Sequence, residues 1–272
     1  MIRPTPRTTP PLVDSHVHLD RYPDDTVMTM LQRAAEHGVT RLLTVGVDLS
    51  TSQAALRLAT RWPAVLAAIG IHPTRLAAQA STSEPIEAFR QLLETNQNDS
   101  RLGQPAAIGE VGLDDNAPDL SLQQRFLDQC LALAAETGLP VVLHVVGRPE
   151  THRSALETVA LHATVRTVAH YFVGDAELAR RYVDAGCWIA VGKPVTRPSE
   201  VAVRDALRVI PPERLLLETD TYPLPGRATE PRDVAEICAA VATLTKRPYD
   251  EVASATTAAF DAFIATPSAS QP

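Results

Sequence analysis

The chain has 272 residues, of which 45% are hydrophobic and 21% are charged, and these ordinary values argue against disorder. The net charge of −7 at pH 7 provides no long-range attraction for a phosphate backbone, so a bound nucleic acid would have to be gripped locally. The 3 Cys are far apart without a C-x-x-C pair, which argues against a disulfide framework, and no apolar run is long enough to span a membrane. The Pro-rich segment 1–11 lacks the apolar stretch of a signal peptide, so we expect a cytoplasmic protein.

Short β-branched apolar runs alternate along the chain with longer segments of helical periodicity. The runs begin about 29 residues apart on average, which is the length that a strand, a loop and a helix require. This alternation predicts an α/β fold, a single-domain (β/α)8 TIM barrel over residues 12–265, with flexible tails at 1–11 and 266–272. A doubly wound open sheet is the alternative, but no glycine-rich phosphate-binding motif follows the first run. The runs are Leu12–His18, Arg41–Val47, Val65–Ile71, Ala106–Val111, Pro140–Val145, Val165–Phe172, Cys187–Val191 and Leu215–Thr219.

Two of the connecting segments carry further helix signals. Ser121 and Gln124 resemble a capping box at the start of one helix, and Gly138 suits the position just after its end. The segment Pro248–Ile264 has the periodicity of an amphipathic helix near the end of the chain.

The residues that end the apolar runs are candidates for chemistry, because the carboxyl ends of the strands form the working face of a barrel. His16 and His18 end the first run and point to the same side, since they are two residues apart on a strand. Of the 8 His in the chain, five lie at predicted strand ends. Imidazoles and carboxylates that converge from different strands are typical of a divalent metal site. The other strand-end candidates are His72, Glu110, Asp114, His144, His170, Glu218 and Asp220.

The remaining three histidines are expected to have ordinary structural roles. His37 precedes a glycine at a predicted helix end, where a cation interacts favourably with the helix dipole. His152 and His162 lie in a predicted helix among polar neighbours.

The strand-end segments resemble the motifs of the TatD-like metal-dependent hydrolases, which are amidohydrolase-type metal barrels. The resemblance runs from Val13 to about Ile264, with the motifs in the family's order. It implies two divalent ions. The coordination preference of four His ligands favours Zn or Mn, whereas the resemblance to the family favours Mg. The segments are Asp14–Asp20, Gly70–Pro73, Gly109–Asp114, those around His144 and His170, and Leu217–Asp220. By position, the implied ligands are His16 and His18 for one ion, His144 and His170 for the other, Glu110 as the bridge, and Asp220 on the first ion.

The described members of this family are mostly Mg-dependent deoxyribonucleases that trim DNA ends. The resemblance therefore implies hydrolysis of phosphodiester bonds by a metal-activated water, with DNA ends or a small phosphodiester as substrate. Some relatives remove D-amino acids from tRNA, so the ester of a D-aminoacyl-tRNA, or a small amide, is the alternative substrate. A third hypothesis is a non-catalytic binding scaffold, which the intact ligand set argues against. Nothing in the sequence indicates a protein partner.

Several polar residues are assigned roles beside the ions. Asp220 and His72 join Glu110 as candidate catalytic residues, because Asp220 can accept a proton from water and His72 can donate to a phosphate oxygen. Arg148 and Lys193 are candidate phosphate contacts, the alternatives being a helix-start salt bridge and an ordinary surface lysine. Glu218 faces the same side as Asp220 and is expected to orient a metal ligand.

Overall fold

The computed structural model describes residues 10–81, 84–98, 103–226 and 229–265, so the predicted tails lie outside it except for Pro10 and Pro11. Strands and helices alternate through this part of the chain, as the sequence predicts. The strands are β1 (Leu12–Val17), β2 (Val39–Val45), β3 (Val65–Ile69), β4 (Ala107–Asp114), β5 (Val141–Val146), β6 (Thr167–Ala169), β7 (Trp188–Val191) and β8 (Leu215–Leu217). The helices are α1 (Asp24–Glu36), α2 (Leu49–Arg61), α3 (Pro73–Ala80), α4 (Pro85–Asn98), α5 (Leu120–Thr137), α6 (Pro149–Leu161), α7 (Ala176–Asp184), α8 (Val201–Ala206), α9 (Val234–Thr245) and α10 (Tyr249–Ile264).

The eight strands form one parallel sheet whose order, β1 to β8, is the order of the chain. The two edges of this sheet meet, because Val17 forms a parallel bridge with Thr221 just after β8. The backbone N–H of Asp220 also donates to the carbonyl of His16 at 2.9 Å. The strand order does not reverse as it would in a doubly wound sheet, so the predicted (β/α)8 TIM barrel is confirmed.

Apolar side chains fill the amino-terminal end of the barrel interior. Val13, Leu43 and Leu216 are buried there in one cluster with Phe260 and Phe263 of α10. The sequence predicts this helix correctly, and its aromatic residues close the end of the barrel at which the strands begin. The opposite end, at which the strands finish, is left for polar side chains.

The start of α5 differs from the prediction. The capping residue is Asp119, whose carboxylate accepts a hydrogen bond from a backbone N–H of the first turn at 2.9 Å. The predicted capping box of Ser121 and Gln124 is wrong, because the Gln124 amide donates to Thr158 of α6 instead. Gly138 ends the helix with a φ of 72°, as expected.

In the described part of the chain, every helix is too short or too polar to cross a lipid bilayer.

Gly112 allows β4 to run close beside β5. Its φ is +151°, a conformation that L residues rarely adopt, and a Cβ at this position would lie 1.9 Å from the carbonyl oxygen of His144. Glycine at this position therefore allows the close pairing of β4 with β5 that places Glu110 near His144.

We predict that Gly112→Ala lowers the free energy of unfolding by about 3 kcal/mol or more, because strain in φ and the backbone clash add together. Gly186→Ala is the matched control, since Gly186 also has a positive φ of +84° but would place its Cβ in open space. Urea unfolding should show a cost of only about 1 kcal/mol for the control. Equal stabilities of the two variants would contradict the close approach of β4 and β5.

Candidate metal centre

Side chains from five strands converge at the carboxyl end of the barrel. They are contributed by β1, β4 and β5 themselves, by the residues directly after β1 and β6, and by the third residue after β8. All are buried or half-buried, and together they form the polar end of the barrel. The six converging residues are His16, His18, Glu110, His144, His170 and Asp220, which are the six that the sequence selects as metal ligands.

The two carboxylate oxygens of Glu110 face two different groups of imidazoles. Its Oε2 lies 3.5 Å from Nε2 of His16 and 3.7 Å from Nε2 of His18. Its Oε1 lies 2.7 Å from Nδ1 of His144 and 2.7 Å from Nε2 of His170. A carboxylate in this arrangement is able to bind one cation through each oxygen.

The first group of ligands surrounds Nε2 of His18. Nδ1 of His18 donates to the carbonyl of Val45 at 2.8 Å, which leaves the lone pair of Nε2 available to a cation. That Nε2 lies 3.3 Å from Nε2 of His16 and 3.4 Å from Oδ1 of Asp220. Two ligand atoms that share a metal at about 2.1 Å are about 3.0–3.4 Å apart, so these distances fit a shared cation.

The second group of ligands surrounds Oε1 of Glu110. Nδ1 of His144 lies 3.3 Å from Nε2 of His170, again the separation of two ligands of one ion. Oε1 of Glu218 lies 3.5 Å from the remaining nitrogen of His170 and accepts a hydrogen bond from the backbone N–H of Tyr171. Oε2 of Glu218 is buried without a hydrogen bond in the described structure. Glu218 is therefore placed to orient His170, and its unsatisfied oxygen is consistent with a site that accepts further positive charge.

Asp114 is a functional candidate that the sequence analysis places at a strand end without assigning it a role. Its Oδ2 lies 3.4 Å from Nε2 of His144, while Nδ1 of the same ring faces Glu110. Asp114 therefore orients His144 from behind, as Glu218 does for His170. The available signal was its spacing, because Asp114 lies four residues after Glu110 on β4 and so shares its side of the strand.

The electrostatics of the centre favour positive charge. Burial raises the pKa of Glu110, but the charge of His170 and hydrogen bonds from the neighbouring imidazoles outweigh it and hold the pKa well below its usual value. Burial lowers the pKa of His170, yet the charge of Glu110 and hydrogen bonds to Glu110 and Glu218 raise it well above its usual value. A proton on Nε2 of His170, which faces Glu110, would occupy the position that a metal ion would take.

Metal binding is therefore expected to displace protons and to strengthen as the pH rises. For His144 too, burial lowers the pKa, but hydrogen bonds to Asp114 and Glu110 raise it above its usual value, so a proton competes with the ion in mildly acidic solution. We predict that the Kd for Mn²⁺ falls by about 10-fold or more from pH 6 to pH 8. Calorimetry in two buffers of different ionisation enthalpy would measure the proton release. A Kd for Mn²⁺ that does not change with pH would contradict the prediction.

The centre lies in a cavity of about 670 Å³. The side of the cavity formed by residues after β1 and β3 is cationic and polar, with His72 and the exposed Arg21 and Arg75. The sequence analysis missed both arginines, because neither ends a strand. A signal was present, since Arg21 and Arg75 each follow a strand-end histidine by three residues, about one helical turn.

The two cations that the sequence analysis selected do not line this cavity. The backbone N–H and Nε of Arg148 lie 2.8 and 3.1 Å from Oδ2 of Asp115, which is the helix-start salt bridge given as the alternative. Nζ of Lys193 lies 3.1 Å from Asp233 and 2.7 Å from Glu236. Both cations are held by carboxylates that are distant in sequence, and their contact with a substrate stays a prediction.

The three remaining histidines divide into two kinds. His37 contacts the carbonyl of Arg33 at 2.8 Å and His162 contacts Asp128 at 2.8 Å, in agreement with structural roles. His152 differs, because it is half-buried in the wall of the cavity. The expected structural role of His152 therefore stays a prediction, and its position beside the cavity is a feature that the sequence did not indicate.

The comparisons with known proteins agree with this geometry. The family model for TatD related DNase matches residues 13–265. The chain is 33% identical over 252 residues to the uncharacterized metal-dependent hydrolase YjjV of Escherichia coli, covering 89% of this chain and 93% of that protein. It is 35% identical over 207 residues to the 3'-5' ssDNA/RNA exonuclease TatD of Pantoea sp., covering 75% and 76% of the two chains. The crystal structure of E. coli YjjV superposes with a TM-score of 0.80 at 31% identity, covering 93% of this chain and 97% of that one. The chain therefore belongs to the TatD-related DNase family and is a metal-dependent hydrolase.

Proposed function

We propose that this enzyme hydrolyses phosphodiester bonds, at the ends of DNA or in small phosphodiesters, with two divalent ions. The observation that carries the proposal is the position of Glu110 between two groups of imidazoles, one at each carboxylate oxygen. Two ions held there would lower the pKa of a water molecule and neutralise charge on the phosphate. The proposed ligands are His16, His18 and Asp220 for one ion, His144 and His170 for the other, and Glu110 for both.

Asp220 is proposed to accept the proton of the attacking water. It lines the cavity, and its Oδ1 faces Nε2 of His18 at 3.4 Å. Burial raises the pKa of Asp220, but the hydrogen bond to His18 and the charges of His16 and His170 lower it below its usual value. Asp220 is therefore a carboxylate at neutral pH and able to take a proton.

His72 is proposed to donate a hydrogen bond to a phosphate oxygen. Its Nδ1 accepts from the backbone N–H of Thr74 at 3.1 Å, so in the neutral ring the proton is on Nε2. Nε2 lies 3.4 Å from Glu110 and lines the cavity beside the centre. A proton directed to this point suits an oxygen of the substrate that gains negative charge.

Arg75 is proposed to bind substrate phosphate at the cavity wall, where it provides local positive charge in an acidic protein. Arg21 lines the same wall, but its Nε lies 3.3 Å from Oδ2 of Asp20. We predict that Arg75→Ala raises KM for a DNA oligonucleotide by about 10-fold or more with kcat changed by less than about 3-fold, since a charge-assisted hydrogen bond is lost. Lys193→Ala is the matched control and should leave KM unchanged, because Lys193 is paired with Asp233 and Glu236. An equal rise in KM for Lys193→Ala would instead support the phosphate contact predicted from the sequence.

A direct assay tests the proposed reaction against its alternatives. The purified protein would be incubated with Mg²⁺, Mn²⁺ or Zn²⁺ and with single-stranded DNA, RNA, a D-aminoacyl-tRNA and simple phosphodiesters. We expect metal-dependent release of nucleotides from DNA ends, in keeping with the relatives named deoxyribonuclease and 3'-5' ssDNA/RNA exonuclease. Faster hydrolysis of the D-aminoacyl ester, or of an amide, than of every phosphodiester would contradict the proposal. Binding without turnover would support a scaffold.

A further inference from the structure

The cavity wall formed after β5 and β6 is apolar, in contrast to the cationic wall after β1 and β3. Val146 and Val173 line it with 41% and 50% of their surfaces exposed. Phe172 and Leu178 continue the same wall. Apolar side chains grouped in a cavity are typical of a surface that a ligand covers. A phosphate at the metal centre would gain nothing from such a wall, which is therefore available to an apolar part of the same ligand.

A polar pair lies within this apolar wall. His152 of α6 and Tyr182 of α7 both line the cavity, and Nδ1 of His152 lies 2.9 Å from the hydroxyl of Tyr182. The two rings meet edge to face, with their centroids 6.0 Å apart. Tyr182 is 1% exposed, so packing fixes the hydroxyl that holds His152.

The charge state of this pair suits recognition rather than proton transfer. Burial lowers the pKa of His152, and the charge of Arg181 lowers it further, so the ring is neutral at pH 7. Burial raises the pKa of Tyr182, so its hydroxyl is also neutral. With Nδ1 engaged by Tyr182, Nε2 is the other ring atom with which His152 forms hydrogen bonds.

We infer that His152, fixed by Tyr182, is a specificity residue for phosphoesters that carry a ring-sized apolar group with a hydrogen-bonding atom at its far end. The ring would lie against Phe172 and Leu178, and its polar atom would reach Nε2 of His152. The inference rests on the proposed phosphoester chemistry. A nucleobase of a terminal nucleotide and the aryl group of a non-nucleotide ester share this chemistry.

Three small phosphomonoesters separate the parts of this inference: methyl phosphate, phenyl phosphate and 4-hydroxyphenyl phosphate. Their Kd values would be measured by calorimetry on the Mn²⁺-loaded protein. We expect the Kd of phenyl phosphate to be lower than that of methyl phosphate by about 10-fold or more, because the ring buries apolar surface. We expect the added hydroxyl to lower Kd by a further factor of about 3–10, which is the scale of one hydrogen bond. The Kd of thymidine 5'-monophosphate, measured in the same way, shows whether a nucleobase can take the place of the aryl group.

The variants test His152 itself. His152→Phe and Tyr182→Phe should each reduce the preference for 4-hydroxyphenyl over phenyl phosphate to about 1, with the preference for phenyl over methyl phosphate retained. Tyr182→Phe removes only a hydroxyl and so keeps the test valid if His152→Phe fails to fold. His162→Phe is the control, because His162 pairs with Asp128 at the other end of α6. The control variant should keep both the wild-type preference for the hydroxyl and the wild-type kcat for methyl p-nitrophenyl phosphate.

The outcomes distinguish this inference from the proposed function. If the wild-type protein hydrolyses no phosphoester with any of the metals, the proposed function fails. If it hydrolyses methyl p-nitrophenyl phosphate but all variants keep the wild-type preference for the hydroxyl, the inference about His152 is wrong. If the variants lose the preference for the hydroxyl and also bind thymidine 5'-monophosphate more weakly than the wild-type protein does, the recognised class includes nucleotides. If they lose the preference for the hydroxyl but keep the wild-type affinity for thymidine 5'-monophosphate, the class is restricted to aryl esters.

Discussion

Replacing Glu110 with Gln is expected to remove metal from the centre and to lower kcat by about 10³-fold or more, which corresponds to several kcal/mol of transition-state stabilisation. Gln keeps the shape of the side chain but replaces one anionic oxygen with an NH₂ group that cannot bind a cation. Because each oxygen of Glu110 faces a different group of imidazoles, the substitution affects both cation positions. Metal content per chain and the single-turnover rate are the measurements.

Glu136→Gln is the control for this change, because Glu136 is an exposed partner of Arg90 on the outer surface of the barrel. It should keep the wild-type metal content and rate. If Glu110→Gln bound as much metal as the control and turned over at the same rate, Glu110 would have no part in the centre.

Asp220→Asn is expected to lower kcat by about 10²–10⁴-fold, the usual scale for a general base. The amide keeps one oxygen that can still bind an ion, but it cannot accept a proton at neutral pH. Metal content should therefore fall less than in His170→Ala, which removes a ligand from the other side of Glu110. The comparison of single-turnover rates at saturating Mn²⁺ separates the loss of a base from the loss of a ligand.

Two results would reassign Asp220. Near-normal turnover with full metal content would remove it from proton transfer. Recovery of the full rate at saturating Mn²⁺ would show that Asp220 serves as a ligand alone.

The barrel and its polar end were predictable, because both depend on the order in which apolar runs and the polar residues that end them follow one another along the chain. The regular spacing of the apolar runs predicts parallel strands, and parallel strands bring all their carboxyl ends to one face of a barrel. His16 on β1 and His144 on β5 therefore meet at the same end although they are distant in sequence. The cap of α5 was less predictable, since the choice between Asp119 and Ser121 depends on the packing of Gln124 against α6.

The residues proposed to contact a substrate could not be predicted from the sequence, because their neighbours depend on how the helices and loops pack around the barrel. Lys193 forms ion pairs with Asp233 and Glu236, about 40 residues along the chain, and no periodicity indicates that pairing. Arg75, in contrast, lines the cavity, because α3 begins directly after His72 and so places Arg75 in its first turn. His152 lies in the first turn of α6, and only the position of Tyr182 on α7 shows that this turn borders the cavity.

Anomalous scattering from crystals grown with Mn²⁺ tests the two-ion centre most directly. We predict two peaks about 3.5–4 Å apart, with Glu110 between them, one beside His18 and the other beside His170. Each peak should lie about 2.0–2.3 Å from its nitrogen and oxygen ligands. A single peak, or peaks with no ligand atom of these residues within about 3 Å, would contradict a two-ion centre bridged by Glu110.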